Sequence, residues 1–373
     1  MVIAFNDNHL GALVHFRREV IETLAKKGND IILIAPESDE RPELPTNVRL
    51  ISVKMNRTSM GLFDCMKYLN QLNIIFKQCN PDIVFNFTIK PIIFGGIICK
   101  FRKIKSVAFF AGVSKTISNL STKSSVKSKL IFSTLRSLLN WNYKSIFLND
   151  SDIKFMRHND LIDKSKIVLF PGGEGVDVIK YAPIEAPELP YFKVVMISRV
   201  LKTKGYHEFV RAGEILKNKG LNIRLFLAGG IDDIHPDRIT EVEIQQDSDK
   251  GIFTYMGHLN NLPDFIKDAD CIVLPSYYNE GMNRSLMESL SMGIPIVTTD
   301  NRGCRELVKD AETGYIIPAR DSKALADAII KIYSLPEEVR QSFKSNSRRY
   351  ALERFDVRDV ICKYEQIING AKS

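Results

Sequence analysis

Residues 271–290 read CIVLPSYYNEGMNRSLMESL, and the reading of this stretch decides the fold. Four apolar residues run to Leu274 and stop at Pro275, as a short buried strand does. A loop carrying Glu280 and Gly281 follows, and from about Met282 the spacing of Leu286, Met287 and Leu290 is helical. A fully apolar strand that feeds a helix belongs to a parallel sheet covered on both faces. Outward from this point the alternation recurs, with strands expected at 194–197, 223–228, 253–256, 295–298 and 315–317 and a helical tail from about 334 to 370. Toward the N-terminus it returns at 2–5, 31–35, 83–87, 107–110, 145–148 and 167–170. Helical patterns lie between, at 14–27 closed by Gly28 and at 62–79 stopped before Pro81.

Between the two series three prolines fall within eight residues, Pro183, Pro187 and Pro190, a composition suited to an extended linker. The expectation is therefore an α/β chain of two doubly wound, Rossmann-like domains facing across a cleft. The first spans 1–180, a linker 181–191, the second 192–350, and a C-terminal helix 351–373 can pack back on the first. Length agrees, since one hydrophobic core stops growing at about 250–300 residues and the chain has 373. With 45% hydrophobic and 26% charged residues, disorder and fibrous repeats are excluded. No run of 18 apolar residues spans a membrane, and the start lacks the pattern of a signal peptide, so a cytoplasmic location is expected. Six scattered cysteines without a C-x-x-C pair read as buried thiols, neither metal ligands nor a disulfide framework.

A helix beginning near Met282 offers unpaired backbone N–H groups and the positive end of a dipole, which suits a diphosphate. Gly281 lets that backbone approach closely. Glu280 and Glu288 are separated by about 12 Å along a helix, too far to share one metal ion. They can bracket a nucleotide sugar, one carboxylate on the sugar and the other on the ribose. At the end of the 194–197 strand, Arg199 and Lys204 followed by Gly205 place two cations for a departing diphosphate without a divalent ion. Two D-x-D strings, at Asp150 and Asp247, read as structural rather than as a manganese site.

Together these segments resemble the family 4 retaining glycosyltransferases of GT-B fold, in particular the bacterial capsule and lipopolysaccharide enzymes. The family's E-x7-E motif stands as Glu280 to Glu288, its Arg…Lys-Gly motif as Arg199 with Lys204-Gly205, and its domain-closing G-x-G-V-D…P pattern as Gly173 to Asp177 with Pro183. Over 1–160 the likeness rests on strand order and on Thr88-Ile89-Lys90-Pro91 with Gly95. The resemblance implies that Arg199, Lys204 and Glu280 act on the transferred sugar and its leaving group. It implies that Glu288 holds the ribose, and that Gly281, Met282, Asn283, Ser285 and Leu286 hold sugar and β-phosphate. It places Gly229 and the Gly257-His258-Leu259 loop beside the nucleotide. Two departures mark the acceptor side: the loop at 6–11 has one glycine, Gly11, and no histidine follows the fourth strand, so His9, Gly11 and Lys90 stand as acceptor-side residues. Retention with front-face transfer, and no metal or other cofactor, are further implications. The rival readings are a nucleotide-sugar epimerase of the same architecture and a non-catalytic nucleotide-sugar-binding protein.

Charge adds a partner. Residues 1–180 hold 26 Lys and Arg against 16 Asp and Glu, and 181–373 hold 26 against 28. No acid lies between Asp82 and Asp150, where eleven cations fall, Lys123, Lys127, Lys129 and Arg136 among them. Such a face is attracted to an anionic surface, and without a nucleic-acid module the surface is phospholipid. The expected partners are a UDP-sugar donor, a polyprenyl-diphosphate-linked saccharide acceptor and an anionic membrane, with no nucleic acid. The expected location is peripheral, on the inner face of the cytoplasmic membrane.

Overall fold

The structure, a computed structural model, describes the chain except residues 40–41, 56–60, 113–125, 234, 279–280 and 373, and except the side chains of 62 and 126–131. It divides into two compact units, Met1–Glu174 with Val357–Ser373, and Gly175–Asp356.

The first unit is a seven-stranded, all-parallel sheet in the order β3-β2-β1-β4-β5-β6-β7. Its strands are β1 Val2–Asn6, β2 Asp30–Pro36, β3 Val48–Val53, β4 Ile83–Phe87, β5 Lys105–Phe110, β6 Lys144–Phe147 and β7 Ile167–Leu169. Its helices are α1 Arg18–Lys26, α2 Leu62–Cys79, α3 Ile89–Arg102, α4 Val126–Trp141 and α5 Asp150–His158. Strand β1 pairs with β2 on one side and β4 on the other, so Ile3 faces both Ile31 and Ile83 and the winding reverses there. Helix α2 ends where Asn80 turns left-handed ahead of Pro81. The expected helix over 14–27 is broken. A π-helical turn at Ala12–Phe16 precedes α1, and Arg17 between them leaves helical geometry with φ −118°. Strand β3 lacks an expectation in the sequence because it is an edge strand burying only its two terminal valines.

The second unit is a six-stranded parallel sheet in the order β10-β9-β8-β11-β12-β13. Strands are β8 Phe192–Ile197, β9 Ile223–Ala228, β10 Thr254–Gly257, β11 Cys271–Leu274, β12 Ile296–Thr299 and β13 Gly314–Ile317. Helices are α6 Tyr206–Asn218, α7 Glu241–Asp249, α8 Leu262–Ile266, α9 Arg284–Ser291, α10 Ser322–Tyr333 and α11 Glu337–Arg354. Val194 faces Leu225 on one side and Cys271 on the other, which sets the second reversal of winding between β8 and β11. Residues 181–191 are irregular chain, as a linker would be, yet they fall inside this unit: Tyr181 is buried and its carbonyl accepts from Arg348 Nη1 at 3.3 Å. At the two D-x-D strings, Asn149 caps α5 by accepting from the Asp152 amide at 2.8 Å, and Asp247 in α7 accepts from the Tyr206 hydroxyl at 3.0 Å.

The tail is not one helix. Between α11 and the last helix, α12 Val357–Gly370, Asp356 pairs with Val176 in a parallel bridge, so the outgoing and returning passages of the chain run side by side. Helix α12 then lies with the first unit because Tyr364 fills an aromatic cluster, with ring centroids 5.0 Å from Phe85 and 5.5 Å from Phe170. Among the described residues no helix is long and apolar enough to cross a membrane.

Candidate active site

In an open parallel sheet the loops at the carboxyl ends of the strands build the site, at the place where winding reverses. In the second unit that place is β8 against β11. The loop after β8 passes through Lys204 into Gly205, whose φ is +88° and whose added Cβ would stand 2.3 Å from the Pro275 carbonyl oxygen. Only glycine allows that approach. The Tyr277 amide donates to the Thr203 carbonyl at 3.0 Å, which ties the loop after β8 to the loop after β11. Lys204 is buried at 7% exposure, and its ammonium lies 5.3 Å from the Tyr278 ring centroid. Arg199 is half exposed and its guanidinium pairs with Asp232 at 2.5 Å.

The loop after β9 joins the same group. Gly229, at φ +154°, would place a Cβ 1.7 Å from the Ser198 carbonyl oxygen. Its amide donates to the Gly257 carbonyl at 2.8 Å, and its own carbonyl accepts from the Tyr255 hydroxyl at 2.9 Å. Gly257, at φ +65°, turns the chain into His258 and Leu259. The structure thus brings Arg199, Lys204, Gly229 and Gly257 to one end of one sheet.

Helix α9 begins at Arg284, two residues later than the sequence suggests, with Asn283 as its cap: the Asn283 carboxamide oxygen accepts from the Leu286 amide at 3.1 Å. The Leu286 amide is therefore engaged within the helix. Glu288 is buried at 7% exposure and accepts from Arg284 Nε at 3.0 Å, one helical turn away. Burial pushes its carboxyl pKa up, while Arg284 and a hydrogen bond from Tyr181 pull the other way. Glu280 lies outside the described residues, so its distance from Glu288 is not part of the geometry.

In the first unit the loop after β1 is organised by charge. Asp7 is buried and accepts from Arg17 Nη1 at 3.1 Å, and Arg17 Nη2 reaches Glu174 at 2.9 Å. The guanidinium lies 3.9 Å over the Phe87 ring. Burial opposes the Arg17 charge, but Glu174 and Asp7 outweigh it and raise its pKa; the Asp7 carboxyl is raised by burial against the pull of Arg17. His9 is exposed, and its Nδ1 accepts from the Ala12 amide at 3.2 Å. Gly11 has an ordinary right-handed φ of −55°, so its turn does not need glycine. Lys90 is buried in the first turn of α3.

Sequence reasoning missed four partners: Tyr181 and Arg284 around Glu288, Asp232 on Arg199, and Arg17 at the centre of the first unit. Arg284 was findable, because it stands four positions before Glu288 on a helix. Tyr181 and Asp232 lie 107 and 33 positions from the groups they touch, and no local pattern carries such pairs.

Comparison with known proteins fits this geometry. Residues 180–350 match the family Glycosyl transferases group 1, and residues 7–148 match Glycosyl transferase 4-like. The chain is 26% identical over 362 residues, covering 93% of each protein, to the N,N'-diacetylbacillosaminyl-diphospho-undecaprenol alpha-1,3-N-acetylgalactosaminyltransferase of Campylobacter jejuni. It is 24% identical over 356 residues, covering 90% of this chain and 88% of the other, to the UDP-Gal:alpha-D-GlcNAc-diphosphoundecaprenol alpha-1,3-galactosyltransferase of Escherichia coli. Among solved structures, Anabaena HepE in complex with UDP superposes with a TM-score of 0.77 over 99% of this chain and 100% of that one, at 17% identity. With a glycosyl transferase family matched in each doubly wound unit, the chain belongs to the GT-B glycosyltransferases and is an enzyme of that family.

Proposed function

We propose that this enzyme moves a sugar from a UDP-sugar to a polyprenyl-diphosphate-linked saccharide in bacterial surface-polysaccharide assembly, with retention of configuration. The observation that carries the donor half is the junction of Gly205 with Pro275, which sets buried Lys204 beside the loop leading to the helix of Glu288. The acceptor half is supported by the two relatives, both named for sugars on undecaprenol diphosphate and both matched over nearly the whole chain.

In this reading Glu288 accepts hydrogen bonds from the ribose hydroxyls and Glu280 contacts the transferred sugar. The amides of 281–285 hold the sugar and β-phosphate, and Gly229 with 257–259 borders the base. The acceptor hydroxyl attacks the anomeric carbon on the face that UDP leaves, and the departing phosphate takes its proton. Lys204 and Arg199 offset the negative charge that grows on that phosphate, Arg199 by leaving Asp232, so no divalent ion is needed. His9, Gly11 and Lys90 serve the acceptor side. The basic first unit rests on the inner face of the cytoplasmic membrane, where such an acceptor is held.

Incubation with a panel of UDP-sugars and a synthetic polyprenyl-diphosphate N-acetylhexosamine tests this reading. A disaccharide product with the donor's anomeric configuration is expected, in the presence of EDTA. An epimerised free UDP-sugar, or a donor bound and unchanged, replaces it with one of the two rival readings.

A further inference from the structure

Helix α2 is apolar on both sides. Its inward side buries Tyr68, Leu72, Ile75 and Phe76 against the sheet, which satisfies the core. Yet Phe63 is 91% exposed, Met66 61% and Ile74 46%, and these three fall on one outward stripe about 16 Å long. The C-terminal end of α3 joins that stripe: Arg102 Nε donates to the Asn73 side chain of α2 at 2.9 Å, and the adjacent Phe101 is 84% exposed. Among the described residues, the large aromatics most exposed to solvent are these two phenylalanines. The second unit exposes large hydrophobic residues too, but they are single aliphatics such as Val242 and Leu352. Scattered apolar residues need no explanation; Phe63, Met66 and Ile74 on one face of α2, with Phe101 on the adjoining helix, do.

Charge identifies what covers them. Lys67 and Lys77 flank the stripe on α2, and Lys100, Arg102 and Lys103 surround Phe101. Among the described residues none of these five forms an ion pair, and Asp64 is the one acid on either helix. Exposed aromatics flanked by unpaired cations along a helix are the makeup of an interfacial membrane contact.

We propose that the outward face of α2, with the C-terminal end of α3, docks in the plane of an anionic phospholipid leaflet, Phe63, Met66, Ile74 and Phe101 entering the headgroup boundary and the five cations facing lipid charge. This deepens the membrane partner named under the proposed function and moves the contact from 123–136, the basic helix that the sequence points to, onto α2 and α3. The side chains of Lys123, Lys127 and Lys129 lie outside the described residues.

The test is co-sedimentation of the full chain with vesicles of equal phosphatidylglycerol and phosphatidylcholine, and with phosphatidylcholine alone, in the absence of donor and acceptor. Binding to the anionic vesicles is expected, reduced but not abolished by 0.5 M salt. Lys67→Glu with Lys77→Glu and Lys103→Glu should remove the salt-sensitive part, at about five-fold in partitioning per cation. Phe63→Ser with Phe101→Ser should remove the salt-resistant part, at roughly ten-fold per ring. All five side chains are exposed, so thermal unfolding should stay unchanged and confirm intact protein. Equal binding to both vesicle types, or binding untouched by both variants, overturns the proposal. So does a dimer that the phenylalanine variant dissociates, since the face would then be an interface between copies. Sedimentation is read without sugar transfer, so a failed transferase assay and a failed docking surface are told apart.

Discussion

After β8 the chain turns on Gly205 against Pro275; after β1 it turns around buried Arg17, held between Asp7 and Glu174. The second unit brings its loops together by removing side chains, at Gly205 and Gly229, so that backbone meets backbone. The first unit does the reverse. Its loop is held by Arg17 between Asp7 and Glu174, beside the acceptor-side candidates His9, Gly11 and Lys90. One sheet end is joined backbone to backbone, and the other is held by a frame of charges. Under the proposed function the former acts on the leaving group and the latter positions the acceptor loop.

The largest expected effect tests the frame. Arg17→Met leaves buried Asp7 and half-buried Glu174 without their cation, and removing one member of a buried ion pair costs about 3–5 kcal/mol. Urea denaturation should show that loss, while UDP affinity of the protein that remains folded stays the same. Unchanged stability would break the comparison, because the charges would then not organise the loop.

Next is Lys204→Ala. A preorganised donor aimed at developing charge is worth on the order of a hundred-fold or more in rate, so kcat should fall by that factor with a much smaller change in donor KM. Arg199→Ala should fall less, because Arg199 is half exposed and already shared with Asp232. A strict manganese requirement in the unmodified enzyme would end this assignment.

Third, Glu288→Ala should weaken UDP binding by roughly ten- to a hundred-fold in calorimetry, the usual worth of a hydrogen bond to an ionised group. An unaltered dissociation constant would take the ribose away from Glu288.

How much of this was legible follows from range. The alternation of strand and helix in two parallel sheets reads directly from the sequence, because both are local patterns of under twenty residues, whereas edge strand β3, burying only its terminal valines, does not. Lys204-Gly205 after β8 and Glu288 in α9 stand out in the sequence as short local motifs for the same reason. What the sequence hid is set by distant pairing. Arg17 meets Glu174 across 157 positions, and its neighbour Arg18, identical in type, merely pairs with Glu22 on the surface. Nothing local distinguishes the two arginines. Phe63 and Phe101 are similarly mute, since each sits in a helix whose apolar count predicts burial. The structure corrects one reading of detail, the start of α9 at Arg284 rather than Met282, because helix starts are defined only to a few residues from sequence.

The smallest effect is a shift in pH. Burial raises the pKa of Glu288, and Arg284 is the leading influence that restrains the rise. If the ionised carboxylate is what the ribose hydroxyls meet, UDP affinity should decline on acidification, with a midpoint above the ordinary glutamate value. Arg284→Met removes the restraining cation, so that midpoint should move further toward neutral pH, with little loss of affinity at pH 9, where the carboxylate is ionised in either protein. Tyr181→Phe, removing a hydrogen bond to the same carboxylate, should move it in the same direction by less. Stability runs with the opposite sign. A carboxyl whose folded pKa is raised binds its proton more tightly in the folded state, so its contribution is full below the ordinary value and is lost as pH rises through the raised one. The two profiles therefore cross: acid weakens nucleotide binding through Glu288 while favouring the fold at that residue. Calorimetric titration of UDP between pH 5 and pH 9, on the unmodified enzyme and Arg284→Met, measures the midpoint directly. A midpoint that ignores Arg284 would mean that the 3.0 Å pair belongs to the surface of the helix and leaves the binding carboxylate untouched.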